Sequence, residues 1–334
     1  MQTSPRSGRA ALLVLVISTL LDAMLVVSTG LAADKTLRVG ILSSGGLETR
    51  QGLDEALIQG LREQGYIEGK NLVVERRYSY AYKDIDLVAR ELAGMKLDAI
   101  ITTCTPSTRA VKQATTSTPI VMAAVSDPVG QGLIASLGRP GQNVTGRASQ
   151  AEELLAKRLE LLSVFLSRTA TIAVLVNANN PVHVLTWPRL ESAAQQLNLK
   201  VMRVEVRGTQ GLMAGMESAA AARAGALFVM PDDPLFYNLR VRIADFAAKH
   251  SIPASYWASD FVEAGGLISY GESLRDSYRN TGAYINKVAQ GADPATLPVA
   301  QPTRFELVIN LRTAKALGLT IPESLLLQAD KVIE

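Results

Sequence analysis

Polar side chains follow the short apolar runs of the sequence, at the points where predicted strands end. These polar residues are Ser43, Ser44, Thr103, Thr105, Ser107, Ser126, Asp127, Asn177, Asn180 and Asp232. In open parallel sheets, small-molecule ligands bind outside the carboxyl ends of the strands. Hydroxyl, amide and carboxylate groups offer hydrogen bonds and charge pairing to such a ligand, so these residues are the candidate binding residues.

Several of these positions also have a purely structural interpretation. Residues 103–107 lead into a predicted helix, whose free backbone N–H groups favour negative charge, but Thr105 is also suited to cap that helix. Asp127 precedes a proline and is suited to shape a turn. Asp232 and Asp233 precede Pro234, a favoured first helical residue, so Asp232 either caps that helix or faces a cleft and pairs with an α-amino group. Both alternatives stay open.

Alternating apolar strands and amphipathic helices predict an α/β fold. Residues 37–125 form one strand–helix series, and the pattern starts again after Gly146. Short connections favour parallel sheets with right-handed crossovers, so we expect two doubly wound parallel-sheet lobes. A late helix over residues 273–290 can pack on the outer face of the first sheet. The chain would then cross between the lobes in three segments.

We expect the following domain organisation. Residues 1–33 form a signal peptide, residues 34–146 plus 265–296 form the N-terminal lobe, and residues 147–264 plus 297–334 form the C-terminal lobe.

The N-terminus has the pattern of an export signal. Arg6 and Arg9 precede an apolar run, and small residues follow it at Ala32 and Ala33. This order is typical of a cleavable secretory signal, cut near Ala32 or Ala33. A membrane anchor is the competing interpretation, but Asp22 within the run would be costly in lipid.

The cysteine content indicates which cellular compartment the protein occupies. The single cysteine, Cys104, is far from the predicted cleavage site, so no thiol there can take a lipid. It also has no partner for an intrachain disulfide. An exported chain of this kind is predicted to be periplasmic and to meet a membrane only through a partner.

Several function classes are disfavoured. The formal net charge is +3 and no basic block is present, so nucleic-acid binding is not expected. His183 and His250 are interpreted as surface residues. No pair of histidines or cysteines has metal-ligand spacing, and no Gly-x-Ser-x-Gly elbow occurs, so we expect no metal, cofactor or catalytic residues.

Four blocks of the sequence carry a family resemblance. They are VSDPVG at 125–130, RPGQNVTG at 139–146, AGGLISYG at 264–271 and FELVINLRTAKALGL at 305–319. Together, and in this order, they resemble the tryptophan-type ABC transporter substrate-binding proteins over residues 37–334. The resemblance implies a type I periplasmic-binding-protein fold with a ligand in the cleft. In related amino-acid receptors the loops after the third and fourth strands hold the ligand carboxylate, which here implies Thr105, Ser107 and Ser126.

The expected function is a non-enzymatic solute receptor. It would close its lobes on a small organic solute and deliver it to an ABC permease driven by an ATPase. The resemblance favours amino acids, and aromatic ones in particular, while the alternative is a secreted α/β enzyme acting on a small metabolite in the cleft.

Few aromatic side chains are available to line a pocket for such a solute, because aromatic residues make up 5% of the chain. Tyr270 lies on a crossing segment. Side chains alternate along a strand, so Tyr256 and Trp257 cannot both face the cleft, and we favour Tyr256. The alternative is that both pack in the core and the pocket is polar.

Overall fold

The computed structural model describes residues 36–79, 84–167 and 169–334. The predicted signal peptide lies outside the described residues. Within those ranges, no helix combines the length and the apolar composition that crossing a membrane requires.

The first sheet is parallel throughout. Its strands are β1 (Leu37–Ser44), β2 (Leu72–Ser79), β3 (Ala99–Thr102), β4 (Ile120–Ser126) and β5 (Val144–Ser149), in the order β2-β1-β3-β4-β5. Every residue of β4 is buried, which explains its unbroken apolar sequence, because helices cover both faces of such a sheet.

The second sheet is built in the same way, with a mixed edge. Its strands are β6 (Thr171–Asn177), β7 (Lys200–Val206), β8 (Ala226–Val229), β9 (Ala254–Tyr256), β10 (Ile268–Gly271), β11 (Glu306–Asn310) and β12 (Lys331–Ile333), in the order β12-β11-β10-β9-β8-β6-β7. β10 and β11 pair in antiparallel fashion and the other neighbours pair in parallel.

The helices connect these strands and cover the sheets. They are α1 (Leu47–Glu63), α2 (Ile85–Ala93), α3 (Thr105–Ala114), α4 (Leu155–Ser163), α5 (Pro181–Gln196), α6 (Gly208–Ala221), α7 (Pro234–Asn238), α8 (Arg240–Lys249), α9 (Ser259–Glu263), α10 (Leu274–Ala289), α11 (Leu311–Ala316) and α12 (Glu323–Leu326). In α1, Leu53, Leu57 and Leu61 follow helical spacing and are all buried.

The chain crosses between the lobes in three places. It leaves the first sheet after β5, returns between β10 and α10, and leaves again between α10 and β11. The third crossing lies beside the first, because the backbone of Ala300 bonds to Gly146 and Ala148 at 3.0 and 2.8 Å.

The sheet pairing places the lobe boundaries a few residues later than the sequence analysis did. β5 continues the first sheet to Ser149, and β10 belongs to the second sheet through its pairing with β9 and β11. Gly265, the predicted start of the second segment of the N-terminal lobe, follows the end of α9 with a φ of 103° and donates its N–H to the carbonyl oxygen of Val262. A glycine turn after a helix and a glycine turn between lobes look alike in sequence.

Helix α10 packs directly on α1, on the first lobe. The two helices meet at Gly60 and Gly282, where a Cβ on either residue would overlap backbone atoms of the other helix. An ion pair between Arg279 and Glu63 lies beside this contact at 2.6 Å. This close packing fixes the position of α10 and therefore of Tyr278, which reaches the cleft.

Candidate functional site

A cavity lies between the two lobes. Its wall is formed by Arg50, Thr103, Cys104, Ala124, Asp232, Asp233, Pro234, Tyr237, Trp257, Leu274 and Tyr278. Its volume of ≈ 30 Å³ is room for about two water molecules. A larger solute can enter only when the lobes separate or the wall side chains move.

The lobes contact each other directly, so the structure is a closed form. The hydroxyl of Thr105 donates to the carboxylate of Asp232 at 2.9 Å, from the first lobe to the second. Thr49 donates to the Asn238 side chain at 2.9 Å, and Arg240 donates to the carbonyl oxygen of Thr49 at 3.1 Å.

Asp232 lies in the loop after β8, with a φ of 52°. Its carboxylate also accepts a hydrogen bond from the backbone N–H of Ser126. Burial raises the pKa of Asp232 to about 7 against the effect of these hydrogen bonds, and the negative charges of Asp233 and Glu272 add to the rise. A partner cation would relieve this cost, so the carboxylate is suited to an ammonium group.

Asp233 takes the capping role that the sequence left open between the two acids. Its carboxylate accepts from the backbone N–H of Phe236 at 3.1 Å, at the start of α7. Asn177 and Asn180 each donate to its other oxygen at 3.0 Å, and Asn180 also donates to the carbonyl oxygen of Asp232 at 2.9 Å. The two asparagines therefore hold the loop in shape, and neither lines the cavity.

Further buried carboxyl groups surround Asp232. Burial raises the pKa of Glu152 to about 8, and the charges of Asp232 and Asp127 act in the same direction. Burial also raises the pKa of Glu272, which accepts from the Ser277 hydroxyl at 2.8 Å. A cationic group in the solute would favour the charged forms of these carboxyl groups.

The predicted anion site after β3 is only partly available. Ser107 caps α3, since its oxygen accepts from the backbone N–H groups of Thr103 and Cys104 at 3.2 and 3.1 Å. Thr105 donates to Asp232 and to the carbonyl oxygen of Ser126. Both hydroxyls are thus engaged within the protein, because a hydroxyl at the start of a helix readily satisfies the local backbone.

Other hydroxyl groups at the ends of the first-sheet strands are less engaged. The hydroxyls of Ser43 and Ser126 are buried and have no hydrogen-bond partner within the described ranges. Ser44 contacts the sulfur of Cys104 at 3.2 Å. Thr103 lines the cavity and accepts from Arg50 at 2.9 Å.

Asp127 shapes a turn. It has a φ of 39°, and its carboxylate accepts from the backbone N–H of Gly130 at 2.9 Å. A Cβ on Gly130 would overlap that carboxylate, so the turn depends on both residues.

The aromatic prediction requires a correction. Trp257 lines the cavity, whereas Tyr256 is fully buried and stacks on Phe261 at 4.8 Å between ring centres. Trp257 lies in the bend after β9, which ends at Tyr256, so the alternation of side chains within the strand does not decide which of the two faces the cleft. Tyr270 lies beside Phe305, at 6.2 Å between ring centres, and does not line the cavity.

The wall residues that the sequence did not indicate include Arg50, Tyr237 and Tyr278. Tyr278 lies on the buried face of α10, where sequence spacing alone does not distinguish a core residue from a cavity residue. The available signal for Arg50 was its place three residues before Leu53 on the apolar stripe of α1, where a charged residue needs a reason to be buried.

His183 also requires a correction, since it is fully buried and not at the surface. Its Nδ1 accepts from the backbone N–H of Asn177 at 3.0 Å, and its Nε2 donates to the carbonyl oxygen of Pro231 at 2.7 Å. It thereby supports the loop that carries Asp232. Among the described residues, no group of three His, Cys, Asp or Glu side chains is arranged to hold a metal ion.

Solved structures share the two-lobed fold. An ABC domain from Streptococcus pneumonia in complex with L-Trp has a TM-score of 0.81 and 26% identity, covering 89% of this chain and 100% of that chain. A ligand-free, open substrate-binding protein with adhesive properties from Clostridium difficile has a TM-score of 0.63 at 26% identity, covering 89% and 99%. At equal identity, the lower score against an open form agrees with the closed lobes seen here.

More distant structures show the same fold alone. A LacI family transcriptional regulator from Bifidobacterium animalis has a TM-score of 0.57 at 13% identity, covering 82% of this chain and 96% of that chain. The predicted fold class, with two α/β lobes of the type I periplasmic-binding-protein kind, is confirmed.

Comparison with known sequences identifies the family. A tyrosine-binding protein from Clostridioides difficile (strain R20291) is 27% identical over 273 residues, which cover 80% of this chain and 77% of that protein. The family model described as ABC transporter substrate binding protein matches residues 40–333. The chain therefore belongs to the ABC transporter substrate-binding protein family.

Proposed function

We propose that the protein is the periplasmic receptor of an ABC importer for an aromatic amino acid. The observation that carries this proposal is the composition of the interlobe cavity. Tyr237, Trp257 and Tyr278 supply aromatic surface, and Asp232 supplies a carboxylate for an α-amino group. Burying a ring of roughly 150–250 Å² contributes about 4–6 kcal/mol to binding, which a polar pocket does not offer.

The relatives support the same solute class. One solved relative was crystallised with L-Trp, and a sequence relative is named a tyrosine-binding protein. The family model establishes the family, and the solute of this chain is our inference from its own cavity.

Binding and lobe closure are linked through Asp232. In the closed form its carboxylate is buried against Thr105 and Ser126, at a cost that the raised pKa reflects. An ammonium group beside Asp232 offsets that cost, so it stabilises the closed form relative to the open one. Closure about the three crossings then follows the usual rule that a ligand favours the state that it binds more tightly.

The cavity favours a binder over an enzyme. No histidine belongs to its wall as described. Burial raises the pKa of the Cys104 thiol, which makes it a weak nucleophile. We therefore propose a receptor without catalytic activity, exported by the signal at residues 1–33, which docks on a permease driven by an ATPase.

Thermal denaturation with added solutes tests the proposal. A ligand at about a thousand times its dissociation constant adds roughly 4 kcal/mol of stability. L-tryptophan, L-tyrosine or L-phenylalanine should raise the melting temperature, while L-alanine, the matched control without a ring, should not. Mass spectrometry of small molecules released from the unfolded protein should identify the same solute. If an aliphatic solute alone stabilises the protein, the aromatic assignment is wrong.

A further inference from the structure

Arg50 brings a cationic side chain to the wall of the interlobe cavity. It lies near the start of α1 and is 4% exposed. Its Nη2 donates to the hydroxyls of Thr103 and Tyr278 at 2.9 and 3.0 Å. Its guanidinium carbon lies 5.1 Å from the centre of the Tyr237 ring and 5.9 Å from that of Tyr278. Groups from both lobes therefore hold Arg50 in one orientation.

The charge of Arg50 has no close counterion in the described part of the chain. The nearby carboxylate of Asp54 instead accepts from the Tyr78 hydroxyl at 2.9 Å. The Nε of Arg50 is buried, and no described atom accepts its hydrogen bond. A buried charge is costly unless it is paired, and the planar guanidinium group matches a carboxylate with two parallel hydrogen bonds.

The described cavity wall contains one cationic side chain, Arg50, and two carboxylates, Asp232 and Asp233. Asp233 is held by Asn177, Asn180 and the start of α7, which leaves Asp232 for the solute. An α-amino acid also carries one charge of each sign.

Of the three hydroxyls implied for the carboxylate, those of Thr105 and Ser107 are engaged within the protein. The hydroxyl of Ser126 is buried without a partner among the described residues, but Ser126 is not part of the described cavity wall. On the first-lobe side of the wall, the Thr103 hydroxyl donates to the carbonyl oxygen of Leu42 at 3.4 Å, whereas the Nε–H of Arg50 has no acceptor among the described residues.

We propose that Arg50 binds the carboxylate of the solute, with Asp232 binding its ammonium group, so that the receptor selects zwitterionic amino acids over aromatic amines. This inference rests on the proposed function and identifies the part of the solute that the first lobe recognises. On closure, the Tyr237 ring of the second lobe covers the guanidinium group, which removes water from the ion pair and strengthens it.

Paired ligands and paired variants test the role of Arg50. The ligands are L-tryptophan with tryptamine and L-tyrosine with tyramine, where each amine lacks only the carboxylate. The proteins are the wild type, Arg50→Gln, Arg50→Lys and the control Arg62→Gln, which changes an exposed arginine of the same helix. Isothermal titration calorimetry measures the dissociation constants, and circular dichroism verifies the fold of each variant.

Arg50→Gln should weaken binding of the amino acid at least about 30-fold and change binding of its amine less than about 3-fold, because charge-assisted pairs in buried sites are strong. Arg50→Lys should lie between the wild type and Arg50→Gln, and Arg62→Gln should match the wild type. If Arg50→Gln does not fold, the comparison of the two ligands in the wild type tests the inference. The wild type should bind the amino acid at least about 30-fold more tightly than the amine.

Two results overturn the inference and leave the proposed function intact. In one, Arg50→Gln binds the amino acid as well as the wild type does. In the other, Arg50→Gln loses equal affinity for the amino acid and for its amine, or the wild type binds the two ligands equally well. Either outcome would show that Arg50 only supports the fold of the pocket. If the wild type binds no aromatic amino acid, the proposed function fails and the Arg50 assignment fails with it.

Discussion

The Thr105 hydroxyl lies 2.9 Å from the carboxylate of Asp232, and this hydrogen bond joins the two lobes at the cleft. Asp232 therefore belongs both to the binding cavity and to the contact that closes it. A solute ammonium group at this carboxylate would act on the same atoms that close the protein. In the proposed function, recognition of the solute and closure of the lobes are coupled through this side chain.

Replacement of Asp232 tests its role in binding. Asp232→Asn should cost an aromatic amino acid about 2–5 kcal/mol of binding free energy, because it removes one partner of a desolvated charge pair. Calorimetry with L-tryptophan measures this loss. Indole-3-propionate, which lacks the ammonium group, is the control and should not lose affinity. A loss of only a few tenths of a kcal/mol for L-tryptophan would mean that Asp232 has no part in binding the solute.

Glu152 should make the stability depend on pH. Burial raises its pKa to about 8 from an ordinary value of 4.5. The folded protein binds the proton of Glu152 more tightly than the unfolded chain does. The contribution of this proton to the free energy of unfolding is therefore complete below about pH 4 and is lost as the pH rises through 8. Glu152→Gln avoids that loss. It should raise the free energy of unfolding by about 2–4 kcal/mol at pH 9 and leave it unchanged at pH 4.

Urea denaturation at the two pH values measures the effect of Glu152→Gln. Glu153→Gln is the matched control, because the neighbouring side chain is exposed. An equal gain at both pH values would show that the carboxyl group of Glu152 does not titrate in this way.

Tryptophan fluorescence can test whether the solute binds beside Trp257. It lines the cavity, whereas the other tryptophan, Trp187, does not. With excitation of tryptophan alone, L-phenylalanine or L-tyrosine should change the emission of the wild type and of Trp187→Phe. Trp257→Phe should show no change, although calorimetry should still detect binding. A signal that persists in Trp257→Phe and disappears in Trp187→Phe would place the ligand elsewhere.

The contact between α1 and α10 should be intolerant of added volume. Gly60→Ala would place a methyl group against the backbone of Arg279, so it should destabilise the protein by about 1–3 kcal/mol. Gly138→Ala is the control, since a Cβ there meets nothing within 4 Å. Urea denaturation compares the two variants, and equal stability would contradict the close helix packing.

Much of the fold was predictable from the sequence, because buried parallel strands and amphipathic helices have distinct hydrophobic patterns. The apolar run of β4 and the late helix α10 predicted the first sheet and the repeated crossing between lobes. The boundary at Gly265 was less predictable, since the local sequence of a turn does not reveal which sheet the next strand joins.

The candidate site was predictable only in part. Asp232 was identified because it follows a strand and precedes a helix. Trp257 rather than Tyr256 lies in the cavity wall, because β9 ends at Tyr256 and the alternation of a strand does not extend to Trp257. Arg50 was missed because its partner Tyr278 is 228 residues away in the sequence, and local patterns carry no information about that contact.

The most direct test of the central claim is a calorimetric titration of refolded protein, freed of any endogenous solute, with L-tryptophan and L-tyrosine at neutral pH. The proposed function predicts one binding site per chain for at least one of them, with a dissociation constant of about 1 μM or tighter, equivalent to about 8 kcal/mol of binding free energy. Absence of binding by L-tryptophan, L-tyrosine and L-phenylalanine to a correctly refolded protein would contradict it.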